Sequence, residues 1–268
     1  MIFRSSSITR SSFGCNRQAC LGRVARRIVP PRIVSRSGLG SSSGLCANLL
    51  ERLPHLHTPS TNAAFKTPKG KFVTVKIPTK LAAVAGSLAW RAHDFASLAC
   101  DLFDRKRIIP GAVIARSLME TVALFHMVHK KSRKALADKS LETLDEFLIR
   151  CMSGNRLNNG EPDSPNVLTA IQSLEMEPGC DRFSNFYASL CEFAHPNALG
   201  SFYAYSSYDN NSRALWFGQN RGLTKGNDLA FSVVFSLEVL LEIQTCLTEL
   251  VPSIVQLAKE VYPSDRAG

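Results

Sequence analysis

Arg116 and Glu120 stand four residues apart in the apolar run "GAVIARSLMETVALFHMVHKK", a spacing that sets a guanidinium and a carboxylate on one helix face. On an exposed helix such a pair contributes little. Here the flanking residues are apolar almost all round, and a charge drawn into a core needs a partner. The pair therefore has two readings: an internal ion pair that fixes helix packing, or the anchor of a catalytic or anionic-ligand site. His126 and His129 continue the run at the i, i+3 spacing, which can aim two imidazoles at one metal ion. The lysines that follow give the other reading, cations gathered at a helix C-terminus where the dipole favours them.

A second candidate lies in "YASLCEFAHPNALGS", where Glu192 and His195 are one turn apart just before Pro196. Taking Phe183, Phe186, Leu190, Phe193 and Ala194 as the apolar stripe, Glu192 points nearly opposite and His195 to the side. His195 then suits a helix forced to stop before proline, and Asn197 suits the exit turn. Carboxylate-bridged di-iron bundles would require a second E-x-x-H and two further glutamates, and the chain has a single E-x-x-H. The metal alternative is a mononuclear site drawn from His126, His129, Glu192 and His195. No cofactor is otherwise implied, since G-x-G-x-x-G, the P-loop and H-E-x-x-H are all absent from the sequence. The aromatic group Phe202, Tyr203, Tyr205, Tyr208, Trp216 and Phe217 could stack on bases, but a hairpin packing that face onto the rest of the protein is the expectation.

The elements that must position these residues follow from periodicity. Leu81, Val84, Leu88, Ala92, Phe95, Leu98 and Leu102 recur in steps of three and four, which predicts a first helix with Thr79 as N-cap. The Arg116 helix follows with Pro110 in its first turn, and its apolar circumference marks it as the central helix. "SLETLDEFLIRCM", capped by Ser140, a short helix over 166–176, and the Glu192 helix, capped by Asp181, come next. Two aromatic-rich runs flank "DNNS" and predict a β-hairpin or ordered loop. The last helix starts at Asp228 and is expected to kink at Pro252. Glu238, Glu242 and Glu249 argue against a membrane span there. The expected fold is mostly α: a bundle of about five to six helices over 79–262, with the hairpin inserted before the last long helix and a tail over 263–268.

Ahead of the bundle, residues 51–78 read as a proline-broken linker containing one edge strand in "KFVTVKI". Residues 1–50 read as a leader outside the fold, either an organelle transit peptide or the product of a start set too far upstream. Eight of the 32 basic side chains and none of the 22 acids fall in that leader, which leaves 24 against 22 for the rest. The net charge of +10 therefore says little about the folded part, and a strong attraction to nucleic acid is not expected there. Eight cysteines, without a C-x-x-C pair, suit packed thiols better than a disulfide frame or a zinc site.

"IARSLMETVALFHMVHK" followed by "YASLCEFAHPNALG" resembles a group of mainly bacterial, all-helical proteins classed as a domain of unknown function. Their pattern is an Arg-x-x-x-Glu helix and a later Tyr…Ser/Cys…His-Pro/Gly element. The resemblance spans roughly 81–250 and marks Arg116, Glu120, Tyr187, Glu192 and His195. It implies no known reaction, and it favours a cytoplasmic setting over an organelle matrix. More distantly the chain is similar to HEPN helical bundles, many of which cleave RNA without metal through an Arg-x4–6-His motif. Arg182 to His195 and Arg116 to His126 are both too long for that motif, and Arg52 to His57 falls in the proline-broken segment.

These residues lead to a regulatory or interaction module with an Arg/Glu/His polar cluster as the first expectation. A metal-independent ribonuclease using His195 and Arg116 is the alternative, and a metal-binding bundle the third. A protein partner or a second copy is compatible with the pattern, RNA is not supported by the near-neutral bundle, and no membrane span is expected.

Overall fold

The computed structural model describes residues 44, 48–51, 64–66, 72–74, 76–155, 157, 160–218 and 226–261. Most of the leader, together with Arg52 and His57, lies outside the described residues. One part of the leader expectation is corrected: Leu49 is buried in the main core and Leu50 packs against it.

Strands β1 (Ala64–Lys66) and β2 (Phe72–Thr74) pair antiparallel, so the edge strand read from "KFVTVKI" has a partner within the linker. Helix α1 runs Lys76–Asp104. It begins ahead of Thr79, with Ile77 and Pro78 buried in its first turn. Proline suits a first turn because the amides there lack intrahelical acceptors. A tight reversal through Lys106 (φ 54°) leads into α2, Ile108–Asp138. Gly111 makes room at that corner: a Cβ there would lie 2.7 Å from the Phe103 ring, which would have to shift.

Helix α2 is central. It packs against α1, against α3 (Glu142–Ser153), α4 (Val167–Glu175) and α5 (Phe183–Ala194), and against the last helix, α7 (Gly226–Val261). The reason is legible in its residues: Ala112, Ala115, Leu118, Met119, Val122, Ala123, Phe125 and Val128 are all buried and together cover more than half of the helix circumference. Its small alanines let the neighbouring backbones approach, and its large residues fill the space between them. Helix α2 also continues well past His129 and closes at Lys139, in a left-handed cap (φ 51°) whose N–H reaches the Ala135 carbonyl. The histidines are therefore in the body of the helix and not at its end.

Two expected caps are displaced. The residue before α3 is Leu141 rather than Ser140, and the residue before α5 is Arg182 rather than Asp181; neither offers a side-chain cap. Asn166 caps α4 as a polar side chain should, accepting from the Leu168 and Thr169 amides. After α5 come a π-helical turn (Ala198–Phe202), a short α6 (Tyr203–Tyr205) and the hairpin of β3 (Ser206–Asp209) with β4 (Ala214–Phe217). Pro252 stands inside α7, which continues to Val261. The protein is thus mostly α, with the antiparallel hairpin set before the last long helix.

Helix α2 and the stretch Leu229–Val261 are each long and apolar enough to cross a membrane by length and composition. Within the bundle they bury 56% and 78% of their most apolar window.

Candidate functional site

Arg116 and Glu120 project from α2 towards α5, where Tyr187 meets them. The Arg116 Nε donates to Glu120 Oε1 at 3.1 Å, and the Tyr187 hydroxyl donates to the same oxygen at 2.9 Å. The guanidinium carbon lies 5.5 Å from the centroid of the Tyr187 ring, within reach of a cation–π contact. Tyr187 is buried, and the two charged side chains are about one-third exposed (33% and 28%). Each partner thus fixes the other two, and the group sits at the boundary between core and solvent.

Burial pushes the Tyr187 hydroxyl up to about 12; Glu120 adds to that rise and Arg116 opposes it. Hydrogen bonding towards the Tyr187 oxygen holds the Arg116 guanidinium above the usual arginine range, against the opposing effect of burial. Tyr187 and Arg116 therefore keep their protons at neutral pH.

The three residues line a cleft of about 660 Å³ together with Arg150, Asp163, Ser164, Asn166, Val167 and Leu168. Arg150 comes from the last turn of α3. Its Nε donates to the Asp163 carbonyl at 2.8 Å and its Nη2 to the Ser164 carbonyl at 3.3 Å. Those bonds pin the returning end of the α3–α4 loop, which an isolated bridge between Asn155 and Asp163 also closes. The loop then enters α4 through the Asn166 cap.

Glu192 and His195 are held elsewhere. Both are exposed, and neither lines the cleft. Glu192 Oε2 accepts from Asn197 Nδ2 at 2.8 Å. His195 is the C-cap of α5 in extended conformation (φ −81°, ψ 146°), as a residue before proline must be, and its N–H reaches the Cys191 carbonyl. Eight residues separate it from Tyr187, roughly 12 Å along a helix axis. Beyond it, Gly200 presses so close to the His195 carbonyl that no Cβ would fit, and its N–H donates to Asn197 Oδ1 at 2.9 Å. The structure thus brings Arg116, Glu120 and Tyr187 together and leaves Glu192 and His195 as a separate helix-terminating motif.

His126 and His129 are both buried on the faces of α2 that the bundle covers. His126 Nε2 lies 3.3 Å from Ser173 Oγ and 3.7 Å from Glu177 Oε1, while Lys130 Nζ donates to Ser173 Oγ at 2.7 Å. Burial pushes His126 down to about 3, with the charges of His129, Lys130 and Arg133 adding to the effect; burial, then Arg133, pushes His129 down to about 4. Both are neutral near pH 7. Among the described residues no group of three or more His, Cys, Asp or Glu side chains could hold a metal ion, so the quartet with Glu192 and His195 is not assembled.

Cys100, Cys151, Cys180, Cys191 and Cys246 are thiols, and burial pushes Cys151 and Cys180 up to about 12. The expected packing of the hairpin aromatics is corrected. Phe202, Tyr203, Tyr208, Trp216 and Phe217 are all at least half exposed, and Tyr205 is 39% exposed. Strands of four residues are too short to lay a continuous face on the bundle.

The sequence reading missed Arg150, Asp163, Ser164, Asn166, Val167 and Leu168 as parts of the cleft. Compared with protein-family models, curated proteins and solved structures, the chain finds no match.

Proposed function

We propose that this chain is a non-enzymatic helical module, regulatory or interacting in role, that binds a small ligand in the cleft at Arg116, Glu120 and Tyr187. The observation that carries this reading is the pairing of a cleft of ligand-sized volume with a set of side chains already locked to one another. Fixed donors and acceptors at a wall favour recognition because little ordering remains to be done on binding. Proton transfer near pH 7 calls for a group that titrates near pH 7. Tyr187 and Arg116 are both shifted away from that range, and no histidine lines the cleft. In this module the α2 and Leu229–Val261 helices serve as core elements and not as membrane spans.

The ribonuclease reading needs His195 beside Arg116, and the exposed position of His195 at the end of α5 gives it no support. Incubating the full chain with mixed RNA separates the two. The module reading expects RNA to persist at the level of a no-protein control. Cleavage that disappears in both Arg116→Ala and His195→Ala would overturn it in favour of the nuclease.

A further inference from the structure

We infer that the ligand of the cleft carries an oxyanion, a carboxylate or a phosphate, joined to an apolar body; this rests on the binding-module reading above. The first ground is Arg150. Both of its hydrogen bonds go to neutral carbonyls, those of Asp163 and Ser164, and among the described residues no carboxylate pairs with it. Its charge is therefore fixed in place at the cleft wall without being balanced there, while Nη1 remains to donate. An uncompensated guanidinium held by the backbone is suited to a planar or tetrahedral oxyanion, which can take two parallel N–H donors.

The second ground is Arg116, which also lines the cleft and is held there by its Nε bond to Glu120 and by hydrogen bonding towards the Tyr187 oxygen, so that its charge is fixed in place before any ligand arrives. Glu120 Oε1 already accepts from Arg116 and Tyr187, so part of the carboxylate's negative field is answered from within the site. The remaining acid, Asp163, lines the cleft as an exposed residue whose charge water screens. Two arginines therefore face one internally paired carboxylate and one solvated one.

The third ground is the apolar part of the lining. Val167 and Leu168 begin α4 against the cleft, and Leu168 is 58% exposed although it is a large apolar residue. An apolar wall beside two guanidinium groups fits an amphipathic ligand. A volume of about 660 Å³ leaves room for a ring or short chain behind the anionic head.

The test follows the Val167 and Leu168 amide resonances of the full chain during titration with benzoate, phenyl phosphate, benzamidine and benzyl alcohol. Benzoate or phenyl phosphate is expected to shift these amides saturably, and the tighter of the two identifies the head group. Benzamidine and benzyl alcohol are expected to leave them in place. Arg150→Gln should weaken the anionic probe at least about ten-fold, and Arg150→Lys should restore part of the affinity. The selectivity of the wild-type chain decides the matter even if a variant fails to fold. Saturable binding of benzamidine alone overturns the oxyanion and leaves the cleft as a ligand site. Equal binding of benzyl alcohol and benzoate shows that the arginines do not select. No shift with any probe overturns both this inference and the ligand-binding reading beneath it.

Discussion

Helix α2 faces the same difficulty twice within four turns and resolves it in opposite ways. At Arg116 and Glu120 it places an ion pair at a boundary, where the two side chains bond each other and share Tyr187. At His126 and His129 it gives charge up, because those rings are sealed in the bundle and are neutral near pH 7. Access to water explains the difference. A paired charge on a cleft wall retains contact with solvent, whereas a protonated imidazole at the α2–α4 contact would lose its hydration and stand beside Lys130 and Arg133, which outweighs the Glu177 carboxylate 3.7 Å away. The polar part of the helix thereby reaches solvent, and the histidine part is enclosed by its neighbours.

Acid should break this comparison most strongly. The unfolded chain takes protons on these histidines below about pH 6.5, while the folded chain resists until about pH 4 for His129 and about pH 3 for His126. Stability is thus fully present above the unfolded value and is lost as pH falls towards the folded values. The loss should be on the order of 5 kcal/mol by pH 4. Urea midpoints across pH 4–8 measure it, and a His126→Phe, His129→Leu chain should show a flatter profile. An equally steep profile in that chain would assign the acid sensitivity to other groups.

A smaller effect is expected at the charged half. Arg116→Ala leaves Glu120 half-buried with only the Tyr187 hydroxyl, which should cost roughly 1–2 kcal/mol in a thermal melt at neutral pH. An unchanged melt would mean that the pair is solvated enough to be dispensable. The smallest effect is expected at His195→Ala. The side chain is exposed and outside the cleft, so the melt should move by less than about 0.5 kcal/mol. A large loss there would restore His195 to a shared polar cluster.

Much of this was readable from residue order. The helical steps along 81–102, the apolar girth of the Arg116 helix and the turn residues around "DNNS" are local signals, and each produced its element. The Arg116–Glu120 bond is local as well, being set by the i, i+4 rise. Tyr187 came from family resemblance, because nothing in its own helix says which residue of α2 it will meet. Arg150 was invisible for a different reason. At the end of a helix it reads as a dipole partner, and its role depends on a loop folding back to present two carbonyls. The histidines were misplaced because "HKKSRK" resembles a terminus. Ser132 and Ala135, buried one and two turns on, mark the apolar stripe that continues through those cations.

The exposed hairpin has a practical corollary for anyone following this protein in solution. Its two tryptophans are Trp90 and Trp216, and both face water, at 59% and 51%. Their emission is expected to lie towards that of a wet indole in the native state, so intrinsic fluorescence should change less than the backbone signal when the bundle opens. Circular dichroism of the peptide backbone, to which α2 and α7 contribute heavily, is the signal that follows the core.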